Sequence, residues 1–410
     1  MSYLEAKEKY RKIGVDIEKA MERVNNIPIS LHCWQGDDVR GFINNNELSG
    51  GIQTTGNYPG RARNFEELTK DLDVVYSLLP GKKRLALHAI YAVSEEKVEL
   101  DKLKIEHFEP WIEWASKKGI HLDFNPTCFS HEMVKDGLTL SSPEEKIRKF
   151  WIEHIKCCRA IAAEIGKRQG TPCLNNIWIP DGLKNTPTDR LTPRLRLKES
   201  LDEIFAVKYP QEYLLDSLES KLFGIGVESY TVGNSEFYQN YAAQNKLCCL
   251  LDNGHYHPTE CVSDKIPSML VFYDKVALHV TRGVRWDSDH VVLLEDEVIE
   301  IAKEIIRNNA DHKVLIGLDY FDASINRIAA WTLGYLSMRK ALLYAALLPN
   351  DELKQLQDEN NFTKIMCLTE KLKSYAFDEV WEEYLKRNKI EEDIYEVIHR
   401  YENEVLINRK

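Results

Sequence analysis

The sequence predicts an α/β fold, a (β/α)8 barrel with a C-terminal helical extension, and three observations predict it. Short apolar runs alternate with amphipathic helical text from residue 65 onward. With SLHCW at 30–34 the runs number eight, the count that closes a parallel barrel. From residue 324 to 408 the text turns helical throughout. Residues 1–325 are therefore expected to form the barrel with an N-terminal helix. Residues 326–410 are expected to pack on it or on a neighbouring subunit.

Residues 3–24 carry charge and apolar side chains at three and four spacing and read as one surface helix. SLHCW (30–34) is the first strand. Residues 35–64 are rich in Gly, Asn, Thr and Pro with almost no periodicity, the composition of a lid or binding loop. Helical text over 65–79 leads to RLALHAIYA (84–92), over 105–118 to IHLDFNPTCF (120–129), and over 143–169 to CLNNIWIP (173–180). A helix over 193–222 leads to a fifth strand, FGIGVES (223–229), and one over 235–245 to LCCLLDNGHYHPTE (247–260). The seventh strand lies in KVALHVTRGVRWDSDH (275–290); after the helix of 296–309, KVLIGLDYFDA (313–323) is the eighth.

The balance of 54 basic against 65 acidic residues, a net charge of −11, argues against a nucleic-acid partner and is neutral toward a small sugar. No leader pattern opens the sequence and no run of about 18 apolar residues occurs, so a cytoplasmic protein with no membrane contact is expected. The nine Cys are odd in number and lack CxxC spacing, which suits reduced, buried thiols.

Working groups of such barrels lie at the carboxyl ends of the strands. Those ends carry Glu228, then Asp252 and His255 with His257 beyond, then His279, Asp287 and Asp289, then Asp319. Five carboxylates and two imidazoles crowded on four adjacent strands would leave several carboxylates protonated or repelling one another. Hard cations take about six ligands, water included, so seven donors imply two ions, and the absence of thiolates favours Mn or Mg over structural Zn. A lone Asp at a strand end is more often an N-cap than a ligand, a role open to Asp319 and Asp322. In the first half His32, Trp34, His88, Asp123, Asn125, Phe129, Trp178 and Asp181 are expected to face the same mouth, where aromatic walls and scattered polar groups suit a sugar. Arg61 and Arg63 are lid or interface residues, and no nucleotide-binding glycine motif occurs.

The runs HCWQGDDVRGF, LHAIY, LDFNPTCFSH, NNIWIPDG, LDNGHYHPTE, HVTRGVRWDSDH and IGLDYFDASINRIAAW resemble the L-rhamnose isomerase family over about residues 5–350. The resemblance implies a homotetramer interconverting L-rhamnose and L-rhamnulose with two divalent cations, commonly Mn2+, with Mg2+, Co2+ or Zn2+ as substitutes. It implies a structural ion on Glu228, Asp252, His279 and Asp319 and a catalytic ion on His255, Asp287 and Asp289. Asp319 is counted with the catalytic set as well, and His88, Trp178, Phe129 and Glu228 with the sugar-binding residues. Some wider sugar-isomerase barrels carry Lys two positions after the Glu ligand. Here Ser229 and Tyr230 follow Glu228, so a Lys-dependent mechanism is not expected. With no isolated base in view, a metal-assisted hydride shift between C1 and C2 is favoured over an enediol route. The competing readings are another metal-dependent sugar isomerase or epimerase, a metal phosphodiesterase disfavoured by the acidic charge, and a non-catalytic carbohydrate binder with little use for seven ligands.

Overall fold

A computed structural model describes residues 2–43, 48–49, 52–222, 224, 226–284, 289–390 and 393–409. Eight parallel strands close into a barrel in chain order: β1 (Ile29–His32), β2 (Lys83–His88), β3 (His121–Asn125), β4 (Cys173–Trp178), β5 (Leu214–Glu219), β6 (Cys248–Asp252), β7 (Val276–Val280) and β8 (Val314–Leu318). Around them run α1 (Tyr3–Arg11), α2 (Ile17–Asn26), α3 (Phe65–Ser77), α4 (Glu109–Lys118), α5 (Glu145–Gln169), α6 (Thr192–Ile204), α7 (Ser235–Asn245), α8 (Val262–Met269) and α9 (Asp296–Arg307). The C-terminal helices are α10 (Arg327–Ala346), α11 (Asn350–Asp358), α12 (Phe362–Lys373), α13 (Asp378–Arg387) and α14 (Ile394–Glu404). Among the described residues no helix is long and apolar enough to cross a membrane.

The eight-strand count holds, but the fifth strand is LLDSLE and not FGIGVES. Apolar residues at 214, 215 and 218 continue the helical spacing of the segment before them, so the sequence reads as one long helix. In fact α6 ends at Ile204. Of the predicted strand, residues 223 and 225 lie outside the described residues; Gly226 takes φ +88, and among the described residues beyond β5 and before α7 the pairing is that of Tyr230–Thr231, antiparallel to Gly182–Leu183. The single N-terminal helix is likewise two, because Gly14 adopts φ +76 and Asp16 then caps α2, accepting from the amides of Glu18 and Lys19.

α9 shows why the outer layer holds. Val298, Ile301, Ala302, Ile305 and Ile306 recur on one face and are all buried, each larger aliphatic contributing about 1.5–3 kcal/mol. α10 follows β8 and packs on α9, α2 and α3, completing the helical ring. Its Arg339 is fully buried and donates to the carbonyls of Val24, Ile27 and Lys82, closing the amino-terminal end of the barrel.

On α5, His154 is buried with both nitrogens engaged: the Thr127 amide donates to Nε2, and Nδ1 faces the Leu100 carbonyl at 2.9 Å. Burial pushes this imidazole down to about 4, partly offset by the Leu100 carbonyl, so the folded chain keeps it neutral while the unfolded chain protonates it near 6.5. Stability from this group is therefore present above pH 6.5 and is lost as pH falls toward 4, by about 2 kcal/mol between pH 7 and 5. Urea midpoints measured with chelator present should fall less over that interval in His154→Gln than in the parent. Equal slopes would remove His154 as the source.

Candidate metal centre and sugar pocket

Parallel pairing and the two-residue period decide which side chains enter the barrel. In register, Asp252 stands opposite His279, His279 opposite Gly317, and Trp178 opposite Glu219. The last inward positions of β5, β6 and β7 are thus Glu219, Asp252 and His279. Asp319 extends β8 by one rung, its amide donating to the Val280 carbonyl. These four are buried, with one donor atom of each inside a common 4.8 Å sphere.

Two histidines compensate part of the crowding. His279 Nδ1 lies 3.0 Å from Asp319 Oδ2, 3.2 Å from Glu219 Oε2 and 3.8 Å from Asp252 Oδ2. These are charge contacts and not directed bonds, since Nδ1 has no hydrogen-bond partner. Burial alone would push its pKa down, but Glu219 and Asp319 outweigh burial and hold it well above the usual range. Burial likewise works against ionised Glu219 and Asp319; the neighbouring histidines reverse that and hold both carboxyls below their ordinary values. Asp252 is left with the cost: burial pushes it up to about 7. Asp252 Oδ2 and Asp319 Oδ1 are buried without a hydrogen-bond partner. Three carboxylates around a protonated imidazole, two with orphaned oxygens, fit a divalent cation, which would satisfy those oxygens and displace the imidazole proton.

A second group, Asp252, His255 and Asp289, has donor atoms within the same 4.8 Å limit and shares Asp252 with the first. His255 Nδ1 lies 2.9 Å from the Ser220 carbonyl and 3.1 Å from Glu219 Oε1. Donation from Nδ1 leaves Nε2 as the lone-pair nitrogen. Asn253 locks the turn after β6 to the loop after β7, donating to the Thr281 carbonyl and accepting from its amide. That loop returns to Asp289 through an antiparallel bridge between Arg282 and His290. Asp287 lies outside the described residues.

Glu228 is not part of this centre. It is exposed on the loop beyond β5, where it accepts from the Gly226 amide, and Glu219 occupies the position expected of it. The error follows from the misplaced strand, and the signal that could have found Glu219 was the inward parity of residues 215, 217 and 219. Two residues on stands Lys221, buried, with Nζ 5.2 Å from the centre of the Trp178 ring. The Glu–x–Lys spacing thought missing is therefore present.

The cluster floors a cavity of ≈ 330 Å³, at the small end of ligand sites, lined also by Trp34, His88, Asn125, Trp178, Lys221 and Phe321. Trp34 stacks on His88 at 4.2 Å between ring centres. Trp34 Nε1, His88 Nε2 and Trp178 Nε1 are buried without hydrogen-bond partners among the described residues. Burial holds the His88 pKa well below its usual value, so its ring is neutral. Asn176 donates to Glu219 and accepts from Ser217, which orients the carboxylate. Gln53 and Thr55 bring the long loop after β1 to the cavity rim.

Other sequence candidates sit elsewhere. Phe129 is fully buried behind the wall, edge-on to Trp178 at 5.6 Å. Asp123 lies two residues deeper than Asn125, paired with Arg84 at 2.8 Å. Asp181 accepts from Thr139 and Ser141, and His257 is exposed. Neither Asp319 nor Asp322 caps α10; Asn326 does, accepting from the Ala329 amide.

The family model for L-rhamnose isomerase matches residues 1–409. An L-rhamnose isomerase of Listeria monocytogenes serotype 4a (strain HCC23) is 51% identical over 99% of this chain and 98% of its own. One of Salmonella newport (strain SL254) is 51% identical over 98% and 97%. A solved D-psicose 3-epimerase aligns with 77% of this chain and 96% of that chain, at 11% identity and a TM-score of 0.46.

Proposed function

The chain belongs to the L-rhamnose isomerase family, and from that premise we propose how its barrel mouth interconverts L-rhamnose and L-rhamnulose. One observation carries the reading: a buried set of carboxylates and histidines floors a cavity of monosaccharide size whose walls hold three unpartnered polar atoms. Glu219, Asp252, His279 and Asp319 would hold one cation. His255 and Asp289, with Asp252 shared and Asp287 from the loop, would hold the second. We take Mn2+ as the ion, with Mg2+, Co2+ or Zn2+ as substitutes, because oxygen donors dominate and thiolates are absent. When bound, such a cation withdraws electron density from the substrate oxygens it touches.

The protein's own groups do the rest. Trp34, Trp178 and Phe321 exclude water and offer faces to the apolar side of the sugar. Neutral His88 and the two indole N–H groups satisfy and orient hydroxyls. Lys221, from its place over Trp178, donates to the oxygen on which negative charge grows as hydrogen passes between C1 and C2. Gln53 and Thr55 of the loop after β1 border the site, and α14 with the turn after it holds that loop through Tyr58 and Gly60. We assign the chain to a reducing cytoplasm, in keeping with nine unpaired cysteines, and to a homotetramer by family likeness.

The test is metal content together with activity on L-rhamnose after chelation and re-addition. Stoichiometric divalent metal, loss of turnover on chelation and recovery with Mn2+ are expected. Undiminished turnover in the chelated protein would end the metal assignment. Faster turnover of another aldose in a panel of deoxy and ordinary aldohexoses would move the sugar assignment.

A further inference from the structure

His32, at the carboxyl end of β1, contributes to neither donor set above and does not line the sugar cavity, yet it is buried against the metal centre. Its Nε2 lies 3.2 Å from Nε2 of His279, the rings meeting edge to face at 86°. Its Nδ1 lies 3.8 Å from Oδ1 of Asp319, and both of those atoms are buried without a hydrogen-bond partner. The ring is held from behind, with Trp34 at 4.9 Å between centres, and the Trp331 indole donates to the His32 carbonyl at 2.8 Å.

The proton bookkeeping has one solution, given the reading above that His279 and Asp319 ligate the same cation. His279 turns Nδ1 to the carboxylates, so Nδ1 must be bare for the ion and the ring proton sits on Nε2. The atom facing that proton is Nε2 of His32, which must therefore accept. The remaining His32 proton is then on Nδ1, 3.8 Å from Asp319 Oδ1, a charge contact longer than a hydrogen bond. Metal-ligating histidines usually hand their second N–H to a carboxylate or carbonyl. Here the imidazole of His32 takes that place for His279.

We propose that His32 is a positioning residue of the metal centre, accepting from Nε2 of His279 so that His279 is held in the Nε2–H tautomer that leaves Nδ1 bare for the cation.

The test measures Mn2+ affinity by electron paramagnetic resonance of the free ion, with chelator competition, in parent, His32→Leu, His32→Asn, His32→Gln and Asp319→Asn. Melting of each in chelator checks the fold. Leu removes the acceptor, Asn is too short to reach it, and Gln places an amide oxygen near the lost Nε2. Leu and Asn should weaken binding about 10- to 100-fold, and Gln should recover most of that loss. Parental affinity in Leu and Asn, or a Gln variant as weak as Leu, overturns the proposal. Asp319→Asn separates the two readings. If it weakens binding while His32→Leu does not, only the positioning role of His32 falls; if it leaves binding intact, the ligand assignment falls and the positioning role with it.

Discussion

Glu219→Gln is expected to remove isomerase activity and Glu228→Gln to retain it. Glu219 lies at 3.1 to 3.2 Å from two histidines of the centre and is oriented by Asn176, so an amide there both loses a charge and misdirects its neighbours. Loss of a cation that stabilises charge by several kcal/mol corresponds to about 1000-fold or more in kcat/KM. Glu228 is exposed and bonds only to its own loop among the described contacts, so its amide should stay within about twofold. Steady-state rates on L-rhamnose with bound-metal analysis check both. Activity lost with Glu228 and kept without Glu219 would restore the assignment made from the sequence.

Arg409→Ala should destabilise the fold by about 3 kcal/mol and raise KM more than it lowers kcat. Arg409 makes a bidentate pair with the buried Asp71 of α3, at 2.6 Å to each oxygen. It also donates to the carbonyls of Gly60 and Glu67. Leu406 packs where a Cβ on Gly60 would stand, and the Tyr58 hydroxyl donates to Glu402. The last turns of the chain thus hold the same loop that brings Gln53 and Thr55 to the cavity. Removing the guanidinium strands a buried carboxylate and frees the loop. Urea midpoints and KM for L-rhamnose measure the two consequences separately. Adding Asp71→Asn should recover part of the stability, and an unchanged midpoint in Arg409→Ala would remove the strap.

The placement of Asp252, His255, His279 and Asp319 at one rim was legible because each lies at or near the carboxyl end of a short, otherwise apolar strand, and strand ends in such barrels face one mouth. Glu219 was not legible, because its strand carries Asp216 and Ser217 and keeps helical spacing. Asp216 is tolerated there because Arg159 of α5 pairs with it at 3.0 Å in the buried layer between strand and helix. A distant partner of that kind leaves no local trace. Asp123 was placed too high for the same reason, its partner being Arg84 on the neighbouring strand.

By itself the sequence determined the number of barrel strands, the oxygen-rich character of the donor set and the family, since these rest on local periodicity and residue type. Only the tertiary structure decided which glutamate joins the donors, that Lys221 reaches the cavity and that His32 meets His279 from 247 residues away. Those relations arise from barrel closure and strand register, which bring together side chains whose separation along the chain carries no information about their distance.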